Sequence, residues 1–202
     1  MPTRGRRTAS TTGFGAAGKE RPALTDIDRA WLAASPFCVL ATAGADGRCD
    51  ASPKGDPAGQ LVHVLDDRTI ALAERPGNKR VDGYRNVIAN PHVGLNFVIP
   101  GRADTLRING WARLVSEAPF FDELMVRDRR PILALVVEIE TIFFHCGKAF
   151  LRSRLWEPET WDPEAVVPRR AVIAQELEPQ PDKTLEELED YYRPENYSNG
   201  LY

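Results

Sequence analysis

Apolar and polar residues follow the two-residue period of β-strands through much of the middle of the chain, and the period of a helix in only a few short segments. The apolar run "PFCVLATAG" restarts as "GRCDAS" after the turn-forming "ADG", and "LVHVLD" is joined to "TIALA" by "DDR". Connections this short suit hairpins and are too short for the crossovers that parallel strands need. The pattern therefore predicts a mainly antiparallel sheet.

Three later segments extend this predicted sheet. "HVGLNFVIP" is a nearly continuous apolar run, and "ILALVVEIETIFFHC" is long and apolar enough to be a central strand. Between them, "TLRINGWARLVS" alternates, with Leu106 and Ile108 on one face and Thr105 and Arg107 on the other. We expect a fold that is mainly β with short helices, a six-stranded antiparallel barrel.

Helical spacing predicts short helices between the strands, at about residues 26–34, 79–89 and 117–126. Thr25 is a suitable N-cap for the first helix, and Asn90-Pro91 ends the second. "GKAFLRSRLW" has the pattern of a helix or turn, and residues 184–192 that of a short amphipathic helix.

The composition changes along the chain and divides it into three parts. Residues 1–22 have almost nothing apolar to bury and predict a disordered basic tail. Residues 23–157 carry the strand and helix patterns and form the predicted domain. Residues 158–202 are rich in proline and then in acidic residues, which predicts an extended C-terminal arm.

Charge and cysteine content exclude several classes of function. The formal net charge of −3 gives no electrostatic case for nucleic acid as a partner. No apolar stretch is long enough to span a membrane, and the N-terminal arginines are not followed by the apolar segment of a secretory signal. Three cysteines without a CxxC pair predict neither a disulfide framework nor a metal site. We expect a cytoplasmic protein.

The segment "SPKGDP" interrupts the strand pattern. Pro53 and Gly55 are costly in a sheet, so we expect the strand to break here and to turn Lys54 into a groove. Ser52 supplies a hydroxyl, and Lys54 a point charge suited to a phosphate or to an electron-rich ring. The alternative is a plain loop with an exposed lysine.

The segment "ERPGNKRVDGYRN" crowds basic residues at a predicted helix start. Arg75, Lys79 and Arg80 lie at a glycine-containing turn, and Arg85 follows inside the helix. A helix N terminus has unpaired N–H groups and partial positive charge, so this cluster predicts a phosphate site. The alternative is a solvated basic face of the helix.

Two further basic segments follow predicted strands. Arg107 in "TLRINGWARL" must reach solvent or meet an anion, and "FFHCGKAFLRSRLW" carries several cations after the core strand. His145 and Cys146 are adjacent, but no other ligands recur at metal spacing, so we expect no metal. Four basic clusters in an acidic protein indicate an anionic ligand.

Taken in order, these four motifs resemble the pyridoxamine 5′-phosphate oxidase-like, FMN-binding split-barrel superfamily. More narrowly, they are similar to a subgroup of FMN-dependent enzymes with SPKGDP, PGN(K/R)R, TLR(I/V)NG and HC(G/A)KA motifs. The resemblance covers roughly residues 25–157. It implies a six-stranded split barrel that forms a homodimer, with FMN in a groove between the subunits.

The resemblance also implies which residues contact FMN. Arg48 and Lys54 match the first family motif, with Ser52 between them, and would lie near the isoalloxazine ring or the ribityl chain. The phosphate cluster falls on Asn78, Lys79 and Arg80, with Arg75 near.

Three later residues complete the implied FMN site. Thr105 occupies a position where the oxidases carry a ring-contacting glutamine, and Arg107 is close by. His145 falls near a position where they place an aromatic residue against the flavin.

The predicted function is that of an FMN-dependent oxidoreductase acting on a small-molecule substrate or a nicotinamide reductant. The flavin would supply the hydride chemistry, and the protein binding, orientation and electrostatics. Residues that hold a substrate phosphate in the oxidases have no traceable equivalents, which argues against pyridoxamine phosphate as the substrate. The alternatives are an F420-dependent reductase on the same fold and a non-catalytic flavin- or haem-binding module.

Overall fold

The structure is a computed structural model that describes residues 19–77, 80–163, 169–178 and 182–201. Most of the predicted N-terminal tail lies outside this range. Its last residues join the fold, because the backbone of Arg21 exchanges hydrogen bonds of 3.0 and 2.8 Å with Ile142. The Arg21 side chain also makes hydrogen bonds of 2.6 and 2.9 Å to the buried carboxylate of Asp28.

A single antiparallel sheet dominates the described residues, as the hairpin spacing predicts. It contains seven strands in the order β2-β1-β5-β6-β7-β4-β3, so the expected count of six was wrong by one. The additional strand, β3, is only two residues long. The strands are β1 (Phe37–Ala43), β2 (Cys49–Gly55), β3 (His63–Val64), β4 (Thr69–Ala73), β5 (His92–Val98), β6 (Thr105–Val115) and β7 (Ala134–His145).

The core fills the inner face of the coiled sheet. Alternate residues of β5 and of most of β6 are buried, which is the period-two pattern expected of a strand with one covered face. Leu106 and Ile108 are fully buried, as their alternation predicts. Other fully buried side chains in this core include Leu32, Leu40, Ile70, Leu95, Phe97, Ile139 and Ile142.

The expected break at "SPKGDP" is absent, because β2 runs through it without interruption. Pro53 pairs with Val39 and Lys54 with Cys38 in continuous antiparallel register. A proline is tolerated here because β2 is an edge strand, with a neighbour on one side only. The period of two then places Lys54 on the same face as Ser52 and Asp50.

The helices lie at the predicted places with shifted ends. Helix α1 (Asp26–Ala34) matches the prediction and is capped by Thr25, while α2 (Asp82–Ala89) begins three residues later than predicted. The helix predicted at 117–126 is a 3-10 helix, Pro119–Leu124. The remaining helices are α3 (Lys148–Ser153), α4 (Arg170–Leu177), α5 (Leu185–Tyr191) and α6 (Pro194–Tyr197), with 3-10 turns at Pro158–Thr160 and Ser198–Gly200.

The acidic C-terminal segment is more structured than an extended arm. Helices α4 and α5 bury Ala171, Ala174 and Leu188 in a small core of their own. Helix α5 agrees with the amphipathic pattern at residues 184–192 and starts with a capping box at Thr184. Among the described residues, no helix combines the length and the apolar composition required to cross a membrane.

A β-bulge at Gly110 lets the two longest strands stay paired over their whole length. The register of β6 and β7 shifts between Asn109 and Gly110, and Glu140 is left over on β7. The strands approach so closely at this point that a Cβ on Gly110 would lie 2.0 Å from the carbonyl oxygen of Glu138. Only glycine fits this position without moving the backbone.

We expect Gly110→Ala to lower the free energy of unfolding by about 3 kcal/mol, because the added methyl overpacks against a rigid strand. Gly55→Ala is the matched control, since its Cβ would meet its nearest neighbour at an ordinary 3.5 Å. The control should change stability by less than about 1 kcal/mol. Urea unfolding followed by circular dichroism measures both, and equal stabilities would contradict the tight approach.

Candidate functional site

The inner face of β2 lies against the start of helix α2. The Ser52 hydroxyl donates a 2.7 Å hydrogen bond to Oδ2 of Asp50. A Cβ at Gly83 would lie 3.1 Å from the same Asp50 oxygen, so the glycine allows the helix to start close to the strand. Carboxylates of Asp50 and Asp82 thus already lie at the N terminus of α2.

Lys54 is the centre of a hydrogen-bond network on this face. Its Nζ donates to Oε2 of Glu74 at 2.8 Å and to the Tyr84 hydroxyl at 2.9 Å. The Tyr84 hydroxyl in turn donates to the same Glu74 oxygen. Burial, together with the hydrogen bond and the negative charge of Glu74, raises the pKa of Tyr84, so its hydroxyl stays protonated and remains a donor.

A second ion pair lies beside this network and is more deeply buried. Nε of Arg75 is 2.8 Å from Oδ2 of Asp56, and the two side chains are only 13% and 3% exposed. The Nη2 group of Arg75 also donates a 2.8 Å hydrogen bond to the carbonyl of Leu124. Arg75 therefore connects the segment after β2 with the 3-10 helix.

These two ion pairs join the opposite ends of the sheet. Lys54 and Asp56 lie at the end of β2, one edge strand, whereas Glu74 and Arg75 follow β4, the second strand from the other edge. Four strands separate β2 from β4 in the order of the sheet. The pairs can form only because the sheet coils until its two ends meet, and they hold the split of the barrel together.

A cleft of about 700 Å³ opens next to this junction. One wall consists of described residues within 74–77 and 80–84, and the other is the segment from Arg129 to Leu133 that leads into β7. Four arginines and one carboxylate line it together with apolar groups. The lining residues are Glu74, Arg75, Pro76, Gly77, Arg80, Val81, Tyr84, Arg129, Arg130, Pro131, Ile132 and Leu133.

The second wall of the cleft is shaped by a tight turn. Arg127 and Asp128 both have positive φ, 49° and 58°, and the turn brings Val126 and Arg129 together as a β-bridge. Positive φ in two successive residues other than glycine is strained, so the surrounding structure must fix this conformation. The turn presents Arg129 and Arg130 to the cleft.

Some of the residues implied by the sequence come together at this cleft. Arg75 and Arg80 line it, and Lys54 is bonded to two of its lining residues. Arg80 is largely exposed and pairs with Asp82 at 2.8 Å. Ser52 lies on the same face of β2 as Lys54. Asn78 and Lys79 lie outside the described residues.

Other implied residues lie elsewhere in the same copy of the chain. Arg48 is 90% exposed in the β1–β2 turn, 3.4 Å from Asp46. Thr105 and His145 are partners in the register of β6 and β7, and Arg107 lies 5.4 Å from the centre of the Phe143 ring.

This second group lies at the opposite end of β6 from the wall of the cleft that leads into β7. It starts at Thr105, the first residue of β6, whereas Val115 at the other end pairs with Ala134, next to the cleft. The strand has 11 residues and therefore runs about 35 Å. Lys54, which is bonded to two residues of the cleft, lies level with Leu106 in the register across β1 and β5, and three steps between strands amount to about 15 Å.

Sequence analysis missed several groups that shape the cleft. Arg129 and Arg130 belong to the basic run "RDRRP", in which basic residues cluster as they do in the four motifs described above. Glu74 and Tyr84 gave no signal, because their role depends on contacts with distant Lys54. In the described part of the chain, no group of three or more His, Cys, Asp or Glu side chains could hold a metal ion.

Comparison with known proteins identifies relatives by sequence and by fold. The sequence model for pyridoxamine 5′-phosphate oxidase matches residues 24–146, more than half of the chain. Among curated proteins, none matches the chain significantly.

Three solved structures illustrate the similarity in fold. HupZ of Group A Streptococcus is 20% identical, with a TM-score of 0.50 over 61% of this chain and 95% of its own. An FMN-binding protein of Syntrophomonas wolfei is 16% identical, with a TM-score of 0.45 over 58% and 88%. An F420 reductase is 20% identical, with a TM-score of 0.40 over 56% and 93%.

We expect Asp56→Asn to destabilise the fold by about 3 kcal/mol, because it leaves the buried Arg75 cation without its carboxylate. Asp122→Asn is the matched control: Asp122 pairs with Arg130 at 2.9 Å but is 77% exposed. Its loss should cost less than about 1 kcal/mol. Chemical unfolding compares the two variants, and equal effects would show that the buried pair does not hold the split closed.

Proposed function

The chain belongs to the pyridoxamine 5′-phosphate oxidase family, and from this premise we propose that it binds FMN and acts as an FMN-dependent oxidoreductase on a small molecule. The observation that carries the proposal is the cleft beside the barrel split, whose walls bring four arginines to one space. Its volume of about 700 Å³ is in the usual range for sites that hold a cofactor-sized ligand.

The charges of the cleft fit a ligand with a phosphate at one end. Arg80 and Arg129 are exposed and lie on opposite walls, so both can reach a phosphate at the mouth. Guanidinium groups bind phosphate through paired, charge-assisted hydrogen bonds. The start of α2 is a poorer phosphate site, because Asp50 and Asp82 already lie there. Asn78 and Lys79 remain predicted phosphate contacts.

The buried end of the cleft fits the flavin ring. Tyr84 is 7% exposed there, and Glu74 and Lys54 lie beside it. When bound, the flavin would accept a hydride and pass the electrons on. The protein's part would be to bind and orient it, with the apolar lining residues Val81, Ile132 and Leu133 supplying contacts to its faces. Because Glu74 offsets the charge of Lys54, we assign Lys54 mainly to positioning Glu74 and Tyr84.

We also propose that the functional unit is a homodimer with a shared site. If Thr105, Arg107 and His145 contact the cofactor as the family resemblance implies, a second copy can supply them, since they do not line the cleft of their own copy. The outward face of β1, β2 and β5 offers a surface for that copy. Its residues are mostly small or apolar, with the polar Asn96 among them: Phe37, Val39, Ala41, Ala51, Pro53, Gly55, Gly94, Asn96 and Val98.

We expect the purified protein to bind FMN, and Arg80→Ala and Arg129→Ala each to weaken binding by about 1.5–3 kcal/mol, the scale of a hydrogen bond to a charged group. Arg68→Ala, in the exposed β3–β4 turn, is the control and should bind like the parent. Fluorescence titration of the apoprotein measures all four affinities.

The same titration includes F420 and haem as competing ligands. Reduction of the bound FMN by NADH or NADPH, followed by its bleaching, would support the oxidoreductase. Binding of F420 or haem in place of FMN would overturn the proposal. So would unchanged FMN affinity in both arginine variants.

We expect the shared site to be revealed by complementation between Arg80→Ala and Arg107→Ala, which damage the two halves. Each variant alone should bind FMN weakly at both sites. Co-expressed in equal amounts, they should regain parental affinity at about a quarter of all sites, because half of randomly paired dimers are mixed and each mixed dimer has one intact site. Parental affinity of Arg107→Ala alone, or a monomer that binds FMN, would contradict the shared site.

A further inference from the structure

One carboxylate stands among the arginines of the cleft. Of the lining residues, Glu74 is the only one with a negative charge. Its Oε2 is fully engaged, since it receives hydrogen bonds from both Lys54 and Tyr84. The hydrogen bonds of this carboxylate to described residues all go to Oε2 and none goes to Oε1, and the side chain is 27% exposed. An acceptor of this kind is available to a ligand.

The position of this acceptor is fixed from three sides. The backbone N–H of Glu74 donates a 2.8 Å hydrogen bond to the carbonyl of Leu133 on the opposite wall. Lys54 and Tyr84 hold the carboxylate from behind through Oε2. An acceptor that is already oriented loses little side-chain entropy when a ligand binds, so its hydrogen bond contributes most of its free energy to affinity.

The negative charge of Oε1 determines which part of a ligand it can bind. A carboxylate repels a phosphate, so the anionic end of the ligand must lie toward the arginines at the mouth. Glu74 can instead accept from an N–H group, and a charged acceptor makes the stronger kind of hydrogen bond. In a flavin the N–H on the outer edge of the ring system is the imide N3–H, at the end away from the ribityl phosphate.

We propose that Glu74 is the specificity-determining residue of the cleft and that its Oε1 accepts a hydrogen bond from the imide N–H of the bound flavin. This inference rests on the proposed function, because it assigns an orientation to the same ligand. The imide edge lies at the buried end beside Tyr84, and the phosphate lies between Arg80 and Arg129. Lys54 and Tyr84 are positioning residues that act through Glu74.

The test compares FMN with 3-methyl-FMN, in which a methyl group replaces the imide hydrogen. The parent protein should bind 3-methyl-FMN about 10- to 100-fold more weakly than FMN, because the methylated imide cannot donate and leaves Oε1 unpaired. Glu74→Ala should bind the two ligands within about threefold of each other. Glu74→Gln should lose the preference as well, because Lys54 and Tyr84 both donate to one oxygen, so the amide oxygen faces them and the amide NH2, a donor, takes the place of Oε1.

Tyr84→Phe is the matched control variant. It removes one hydrogen bond to Oε2 but leaves Oε1 in place, so it should keep the parent's preference for FMN even if both affinities fall. Far-ultraviolet circular dichroism checks that each variant is folded. If Glu74→Ala does not fold, the ratio measured with Glu74→Gln decides, since an undiminished preference there would overturn the inference.

The outcomes separate this inference from the proposed function. If the parent binds both flavins equally, Oε1 makes no such contact and the inference fails while FMN binding stands. If the preference for FMN persists in Glu74→Ala, the methyl group is excluded by its size and not by the lost hydrogen bond, which also overturns the inference. If neither flavin binds to the parent, the proposed function itself fails.

Discussion

Closure of the barrel depends on two ion pairs between strands that are not neighbours in the sheet. Lys54 with Glu74 and Asp56 with Arg75 connect the β2 edge to the end of β4. Backbone hydrogen bonds cannot make this connection, because the two ends of the sheet never pair. Long charged side chains can reach across the gap, and their partial burial strengthens the attraction. The split of the barrel is therefore closed by interactions between side chains.

The same two ion pairs also shape the cleft. Each ion pair fixes the position of one residue, Glu74 or Arg75, that lines the cleft. The opposite wall is attached to Glu74 through the Leu133 carbonyl, and the 3-10 helix is attached to Arg75 through the Leu124 carbonyl. A ligand that bound Glu74 or Arg75 would compete with the ion pairs of these residues. It would therefore also affect the closure of the barrel.

How much could be read from the sequence depends on whether a feature is local. The capping of α1 by Thr25, the hairpins and the alternation in β6 are set by near neighbours and were predicted. The unbroken course of β2 at Pro53 was not predicted, because an edge strand tolerates a proline that a central strand does not. Whether a strand lies at the edge of the sheet depends on distant parts of the chain. The role of Glu74 likewise depends on Lys54, twenty residues earlier in the chain. The residues themselves supplied the basic motifs and the resemblance supplied the family, but spacing along the chain could not tell which motifs line the cleft.

Pro53 has a consequence for how copies of the chain can meet. A sheet edge with regular free N–H and C=O groups is a template on which another strand can add, and this leads to aggregation. Pro53 of β2 has no backbone N–H with which to bind another strand. The neighbouring Lys54 carries a charge, which disfavours the addition of an apolar strand at this edge. The other edge, β3, has only two residues. Neither edge of the described sheet therefore offers a long, regular template to which the strand of another copy could add.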